Sequence, residues 1–309
     1  MHTTRFTIQL AGLAPAFACL LLLAFAVTAG AASPAATLDP AARARVEALV
    51  KASGADVAVA FRTLDGREEW LLRADESFHA ASTMKIPVMI ELFKEAAAGR
   101  LSLDQPVTVV NEFKSLADGS PYSLGADTDS EAGLYKAVGQ TRTYRELCHL
   151  MIAVSSNLAT NNLIDRLGVA KIQATTDALG AGGMLVRRGV EDDAAFRAGL
   201  NNTTTARALL VLLDAIATGR AVSPEASRQM VALLERQHFN DGIPAGLPPG
   251  TVVAHKTGSI TRIQHDAAIV YAPRPYVLVV LVRGIDDEKR GNALIADIAR
   301  VVNGAAEAK

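Results

Sequence analysis

This sequence is poor in cysteine and in aromatic residues, and its charges nearly cancel. It contains 2 cysteines and 1 tryptophan among 309 residues, aromatic side chains make up 5%, and the formal net charge is −1. A net charge near zero suggests neither a nucleic-acid-binding surface nor an acidic tail, so no nucleic-acid partner is expected and the charge identifies no other partner. Cys19 lies in an N-terminal apolar run. Without that run Cys148 is the sole thiol, which excludes an internal disulfide, and we expect Cys148 to be a small buried hydrophobe.

Metal-ligand patterns are missing as well. Six histidines are scattered along the chain without the spacing of a zinc site, namely His2, His79, His149, His238, His255 and His265. Asp127, Asp129 and Glu131 form an acidic cluster, but it lacks the glycine and the distal glutamate of a calcium-binding loop. We therefore expect a solvated acidic loop there, no metal site and no cofactor.

The first 31 residues have the organisation of an export signal. Arg5 precedes an apolar stretch from Ala14 to Val27, and Ala29-Gly30-Ala31 is a small-residue cleavage site. The stretch is short for a membrane span and has no positive flank after it. We expect a signal peptide over residues 1–31, a periplasmic or secreted protein, and no membrane association after cleavage. A retained membrane helix and a lipid-anchored Cys19 are the alternatives.

Short runs of strand-forming residues, the last of them rich in valine and leucine, predict strands near both ends of the chain, and the pattern between them is helical. The predicted strands cover residues 56–63, 68–73, 250–257, 264–271 and 276–283. The predicted helices cover residues 41–52, 86–99, 143–154, 158–167, 169–179, 204–218, 223–237 and 288–302. This order indicates an α/β (α+β) fold. Residues 40–100 and 220–309 are expected to form one mixed domain and residues 101–219 an inserted all-helical domain, with a cleft between.

Ser82 and Lys85 stand three residues apart at the mouth of the helix predicted for residues 86–99. Residues at this spacing share a helix face, so Lys85 is expected within hydrogen-bond reach of Ser82. Burial would lower the pKa of the lysine, because desolvation disfavours the ammonium, and a neutral amine can accept the hydroxyl proton. The pair predicts a serine nucleophile with a lysine base. The alternative is a helix-capping serine followed by a solvated lysine.

Two further motifs favour the nucleophile. Ser155-Ser156-Asn157 lies at a break between two predicted helices, where Ser155 and Asn157 can point into a cleft, and Lys256-Thr257-Gly258-Ser259 follows later. Acyl transfer needs a nucleophile, a base, an acid for the leaving group and donors for the developing oxyanion. Together with Ser82, these motifs supply all four.

In this combination and order, the three motifs make the chain similar to the penicillin-recognising serine enzymes. The chain length, the single inserted helical region, the Tyr144–Cys148 stretch and Asn202-Thr203-Thr204 most resemble class A β-lactamases. The resemblance covers most of residues 40–305. It implies a β-lactamase-like fold with a five-stranded, mostly antiparallel sheet flanked by helices, and a small β-lactam or D-Ala-D-Ala-like peptide as substrate. Nothing in the sequence indicates an obligate partner, so a monomer is expected.

The resemblance also implies catalytic roles. Ser82 would attack the lactam carbonyl, and Lys85 would help to take its proton. Ser155 would pass a proton to the departing lactam nitrogen, with electrostatic support from Lys256.

Substrate-binding roles are implied for the remaining motif residues. Asn157 would hold the side-chain amide of the substrate, and Thr257, Gly258 and Ser259 would form the binding strand, with Thr257 and Ser259 on the carboxylate. The backbone N–H groups of Ser82 and Ser259 would form the oxyanion hole.

The chain departs from the family pattern at its second motif and in residues 182–202. Ser156 stands where the family usually has an aspartate that braces the loop. Class A enzymes position the hydrolytic water with a glutamate and an asparagine four residues later, and residues 182–202 lack that spacing. Glu191 is the candidate general base, and Asp192 and Asp193 are weaker candidates. Surface carboxylates on a loop are the alternative.

The substrate carboxylate lacks its usual arginine partner as well. Gln264 falls near the family position of that arginine, and Arg262 is the residue that could replace it.

The leading functional hypothesis is a class A type serine β-lactamase that acts through an acyl-enzyme on Ser82. The alternatives are a D-alanyl-D-alanine carboxypeptidase or related penicillin-binding serine peptidase, and a non-hydrolysing β-lactam binder. The rate at which the acyl group is released divides them.

Overall fold

The computed structural model describes residues 1–4, 7 and 37–308. Most of the predicted signal segment, including Cys19, lies outside these residues. Among the residues described, no helix combines the length and the apolar character needed to cross a bilayer.

Nine α-helices lie within residues 37–308. They are α1 (Pro40–Ser53), α2 (Lys85–Ala97), α3 (Tyr144–Ala153), α4 (Asn157–Leu167), α5 (Val169–Ala178), α6 (Asp193–Arg197), α7 (Ala206–Ala217), α8 (Pro224–Leu234) and α9 (Glu288–Glu307). Three 3₁₀ helices cover Ala81–Met84, Ala132–Ala137 and Ile243–Gly246.

Eleven strands occur in the same part of the chain. They are β1 (Asp56–Thr63), β2 (Glu69–Leu72), β3 (Phe78–His79), β4 (Pro106–Thr108), β5 (Phe113–Lys114), β6 (Pro121–Tyr122), β7 (Thr141–Thr143), β8 (Thr203–Thr204), β9 (Val252–Ile260), β10 (Ile263–Tyr271) and β11 (Tyr276–Arg283).

The main sheet joins both ends of the chain. Its order is β2-β1-β11-β10-β9, and every neighbouring pair is antiparallel. Alternate residues of a strand face opposite sides, so Val280 of β11 packs with α1 and α9 while Leu281 packs with α7 and the other helices. The strand β9 at one edge carries the Lys-Thr-Gly motif.

Helix α2 passes through the middle of the helical layer and is buried along nearly its whole length. Pro87 is tolerated because it lies in the first turn, where a backbone N–H has no partner within the helix. The helix contacts α3, α4, α5 and α8. This packing fixes its first residue, Lys85, at the boundary between the sheet and the helices.

Two of the differences between the structure and the sequence-based expectations concern β9 and the segment before α3. Strand β9 continues to Ile260 instead of ending at residue 257, because a tight turn through Arg262 pairs it with β10 along its whole length. Residues 101–143 contain short strands, β4 paired with β7 and β5 with β6, where the pattern indicated only helices. The domain boundaries at residues 100 and 219 stay a prediction, and α7 packs against the main sheet.

Candidate active site

Ser82 lies in the tight 3₁₀ turn Ala81–Met84 that opens α2. Residues three apart eclipse each other in a 3₁₀ helix, which places Ser82 and Lys85 on one side. Ala81, directly before Ser82, has a φ of 45°, an uncommon left-handed conformation for a residue with a side chain. The backbone N–H of Ala81 donates to Nδ1 of His79 at 3.0 Å. This strained turn leaves Ser82 partly exposed.

Gly258 lets strand β9 lie directly against the Ser82 turn. A Cβ atom built on Gly258 would lie 3.1 Å from the backbone nitrogen of Ser82 and 3.2 Å from the Cβ of Ala81. Contacts this short require the neighbouring backbone to move. Glycine at this position therefore permits the close approach of the two chain segments.

Two buried lysines share the hydroxyl of Ser155. The Nζ atoms of Lys85 and Lys256 donate to Ser155 Oγ at 3.2 and 3.0 Å. Lys85 also donates to the carbonyl of Ser155 at 2.6 Å and to Asn157 Oδ1 at 2.8 Å, and Lys256 donates to the carbonyl of Thr257 at 2.9 Å. Sequence reasoning placed Lys85 against Ser82. Within the described structure its hydrogen bonds go instead to Ser155 and Asn157, whose three oxygens match the three donors of the protonated form.

Burial of this lysine pair changes its protonation. Desolvation lowers the pKa of Lys85 to about 7, while the carboxylates of Asp129 and Glu191 act in the opposite direction. Desolvation also lowers the pKa of Lys256 well below its usual value, and the nearby charge of Lys85 lowers it further. A neutral amine is therefore accessible at neutral pH, and the Ser155 hydroxyl bridges the two amines.

Ser155 lies in the short loop between α3 and α4, and Asn157 is the first residue of α4. Ser155 has a φ of 61°, again in the left-handed region. Ser156 is buried and caps α4 by accepting the N–H of Ala159 at 3.2 Å. The loop thus directs the side chains on both sides of Ser156 toward the lysines.

The structure brings Glu191 to this site. Asn157 Nδ2 donates to Glu191 Oε1 at 3.0 Å. Desolvation raises the pKa of Glu191, and the hydrogen bond from Asn157 acts in the opposite direction. Asp192, in contrast, caps α6 at Ala195 and accepts the N–H of Leu116, and Asp193 is exposed. Glu191 is therefore the carboxylate of this segment that reaches the catalytic motifs.

Asn161 on α4 holds the segment before Glu191, and sequence reasoning missed it. Its side chain accepts the N–H of Val190 at 2.7 Å and donates to the carbonyl of Val190 at 2.9 Å. Glu191 itself has a φ of 58°. Two adjacent buried asparagines, Asn161 and Asn162, on a helix with apolar neighbours were the available signal, because buried amides require partners.

His265 supports the Ser82 turn from behind. It pairs with Gly258 across β10 and β9, and its Nε2 atom lies 2.9 Å from the carbonyl oxygen of His79. Complete burial lowers the pKa of His265 to about 4, so the ring is neutral at neutral pH. His79 in turn accepts the N–H of Ala81, which connects the sheet to the residue before Ser82.

A cavity of about 220 Å³ lies in front of these groups. The motif residues among its lining are Ser82, Ser155, Asn157, Thr257, Gly258 and Ser259. Its other lining residues are Thr128, Ser130, Phe239, Asp241, Gly242, His265, Glu288 and Asn292. Lys85 and Lys256 lie fully buried behind this wall.

The end of the cavity near Ser259 is acidic. Ser259 Oγ donates to Glu288 Oε1 at 3.1 Å. Arg262 lies outside the lining, where it contacts Asp286 at 3.5 Å and the carbonyl of Gly284 at 3.2 Å. The structure therefore does not bring Arg262 to the cavity, because the β9–β10 turn directs it to the loop before α9. Gln264 is buried.

Two further sequence predictions concern acidic residues and cysteine. Asp129 is not a solvated loop residue, since it contacts the start of α4, far along the chain. Cys148 is buried as predicted, and desolvation raises the pKa of its thiol to about 12. In the part of the chain that the structure describes, no group of three or more histidine, cysteine, aspartate or glutamate side chains could hold a metal ion.

Comparison with known proteins gives the same assignment as the motifs. The β-lactamase enzyme family matches this chain over residues 41–306. A β-lactamase of Streptomyces albus G is 30% identical over 89% of this chain and 93% of that protein, and β-lactamase AST-1 of Nocardia asteroides is 32% identical over 92% and 91%. The solved structure of PBP-A matches with a TM-score of 0.76 and 27% identity, covering 90% of this chain and 99% of that one. A mutant of PBP-A with the same TM-score was solved as an acyl-enzyme complex with penicillin G.

These matches confirm the β-lactamase-like fold class and the resemblance to class A enzymes. The match spans the Ser82, Ser155 and Lys256 motifs, and the described structure brings all three around one cavity. The chain belongs to the β-lactamase enzyme family.

Proposed function

We propose that this protein is a class A type serine β-lactamase that hydrolyses β-lactams through an acyl-enzyme on Ser82. The observation that best supports this is the Ser155 hydroxyl held between the buried amines of Lys85 and Lys256, on the wall of the cavity that Ser82 also lines. The arrangement offers a nucleophile and a proton path to a leaving nitrogen. It requires no cofactor.

Acylation uses the lysines and Ser155. Ser82 Oγ forms a bond to the lactam carbonyl carbon while the hydroxyl proton passes to neutral Lys85, whose pKa of about 7 keeps that form available. The carbonyl oxygen is stabilised by the backbone N–H groups of Ser82 and Ser259. The carbon–nitrogen bond then breaks, and the nitrogen takes a proton from Ser155, which is reprotonated from the lysines.

Glu191 carries out deacylation. It takes a proton from a water that attacks the ester carbon, the bond to Ser82 Oγ breaks, and the proton returns to Ser82. Partial burial raises the pKa of Glu191 and so strengthens it as a base. The residue four positions after Glu191 is Ala195, which has no side-chain amide. The hydrogen-bond partner of Glu191 in the site is Asn157 instead.

The residues that line the cavity bind the substrate. Asn157 holds the side-chain amide of the substrate. Thr257 and Ser259, on either side of Gly258 in β9, bind its carboxylate.

We also propose export by the N-terminal signal, a periplasmic or secreted monomer, and a contribution to β-lactam resistance. N-terminal sequencing of the exported protein, its sedimentation behaviour and the minimal inhibitory concentration of ampicillin test these points.

Hydrolysis of a chromogenic cephalosporin tests the proposed activity. The wild-type protein is expected to turn over steadily, and the S82A variant is expected to lose turnover while it keeps the wild-type melting temperature. A single stoichiometric burst without turnover, or full activity in S82A, would contradict the proposal.

A D-alanyl-D-alanine carboxypeptidase is the second candidate. The missing asparagine after Glu191 and the absence of an aspartate at position 156 favour it. Release of D-alanine from a peptidoglycan pentapeptide, without turnover of the cephalosporin, would support this reading. A protein that is acylated by penicillin and keeps the adduct for hours would instead be a non-hydrolysing binder.

A further inference from the structure

Asp129 connects a remote loop to the second motif. It precedes the 3₁₀ helix Ala132–Ala137 and is partly buried. Its Oδ2 atom accepts the backbone N–H of Leu158 at 2.8 Å, the Tyr135 hydroxyl at 3.0 Å and the Ser156 hydroxyl at 3.3 Å. Its Oδ1 atom accepts the N–H of Glu131 at 3.1 Å, which fixes the carboxylate in its own loop.

These contacts complete the N-terminus of α4. The first backbone N–H groups of a helix have no partner within it, and the N-terminus favours a negative charge. Ser156 Oγ accepts one of these groups, from Ala159, and Asp129 accepts another, from Leu158. Since Ser156 also donates to Asp129, the hydroxyl and the carboxylate form one cap.

The cap lies between the two functional side chains of the loop. Ser155 and Asn157 flank Ser156, and both bind the amine of Lys85. Ser155 is held at a φ of 61°, which costs free energy that surrounding contacts must supply. An uncapped α4 would let this loop relax and move Ser155 away from the lysines.

Asp129 also acts through its charge. The amine of Lys85 is influenced by Asp129 and Glu191, which favour its protonated form, and it faces the amine of Lys256 across Ser155. A negative charge at Asp129 therefore offsets part of the desolvation that lowers the pKa of Lys85.

We infer that Asp129 is a positioning residue, which supplies from outside the second motif the carboxylate that Ser156 lacks and so holds Ser155 and Asn157 against the two lysines. This inference rests on the proposed function, because its consequence is measured in acylation. It also accounts for the presence of serine at position 156, since two carboxylates at this cap would repel each other.

The test compares variants of Asp129 with a matched variant of its neighbour. Asp127 is an exposed carboxylate two residues away in the same loop. In cephalosporin hydrolysis, kcat/KM is expected to fall about 10- to 100-fold in D129A, because small displacements of catalytic groups have effects of this size, and to stay unchanged in D127N. Equal kcat/KM values in D129A, D127N and the wild-type protein would overturn the inference.

A second substitution at position 156 separates positioning from general destabilisation. An aspartate there can cap α4 as Ser156 does and place a carboxylate beside Leu158. S156D is expected to lower kcat/KM in the wild-type background, because it crowds Asp129, and to raise it in the D129A background. If S156D lowers kcat/KM in both backgrounds, and the S156D variants have the same melting temperature as D129A, the inference is contradicted.

The pH profile supplies a readout that a purely structural role would not move. D129N keeps the shape of the side chain but removes its charge, which favours the neutral amine of Lys85. The acid limb of the kcat/KM profile is therefore expected to shift to lower pH in D129N, and an unshifted limb would overturn the electrostatic part. If the wild-type protein itself is not acylated by benzylpenicillin, the proposed function fails. If the wild-type protein is acylated and D129A has the same kcat/KM, only this inference is refuted.

Discussion

Replacing Glu191 with glutamine separates the two halves of the proposed reaction. Glutamine keeps the carbonyl oxygen that accepts the 3.0 Å hydrogen bond from Asn157, so the shape of the site is retained while the base is removed. Loss of a general base slows a step by about 10²- to 10⁴-fold, which corresponds to about 3–5 kcal/mol in the barrier. E191Q is therefore expected to be acylated by benzylpenicillin and to release the acyl group at least about a hundredfold more slowly.

Stopped-flow measurement of the burst, followed by the steady-state rate, is the assay for this prediction. D193N is the matched control, since Asp193 is an exposed carboxylate of the same segment, and its deacylation rate is expected to equal that of the wild-type protein. Unchanged deacylation in E191Q, or an equal loss in D193N, would refute the role of Glu191 as the base.

Three further predictions follow from the cavity wall and the lysine. G258A is expected to reduce kcat/KM about a hundredfold, because its Cβ would displace the backbone of Ser82, and a wild-type rate would show that the close approach is unimportant. The rate of acylation of the wild-type protein is expected to decline as pH falls below about 7, because Lys85 becomes protonated and cannot accept the Ser82 proton. An acylation rate constant that is flat from pH 5 to 8 would exclude Lys85 as the base. E288Q is expected to raise kcat/KM for anionic penicillins about two- to fivefold by removing a negative charge beside Ser259, with the largest effect at low salt, and a decrease would show that Glu288 assists binding.

Local spacing was sufficient to predict that the residues within each motif lie near one another. Ser155 and Asn157 are two residues apart, and both reach Lys85, but the spacing of Ser82 and Lys85 did not predict that the amine hydrogen-bonds to Ser155 and Asn157. The strands at both ends of the chain were predictable for a similar reason, because a short run of strand-forming apolar residues between turn residues is a local signal, and β1, β10 and β11 are buried on both faces.

Contacts between distant segments were not predictable from such patterns. The hydrogen bond between Asp129 and Leu158 joins a loop to a helix end, and an acidic loop alone does not reveal its partner. The position of Glu191 depends on Asn161, which holds Val190 from another element. The outward path of Arg262 depends on the turn that closes β9 and β10, where a one-residue change of register reverses the direction of every side chain.

The central claim is that Ser82 Oγ is the nucleophile and that the buried lysines and Ser155 transfer its proton. An intact-mass time course with benzylpenicillin, followed by peptide mapping of the labelled residue, tests it most directly. The wild-type protein is expected to show a transient adduct of one penicillin on Ser82 that disappears as penicilloate accumulates. An adduct on another residue, or no adduct while penicillin is hydrolysed in both the wild-type and S82A proteins, would contradict the claim.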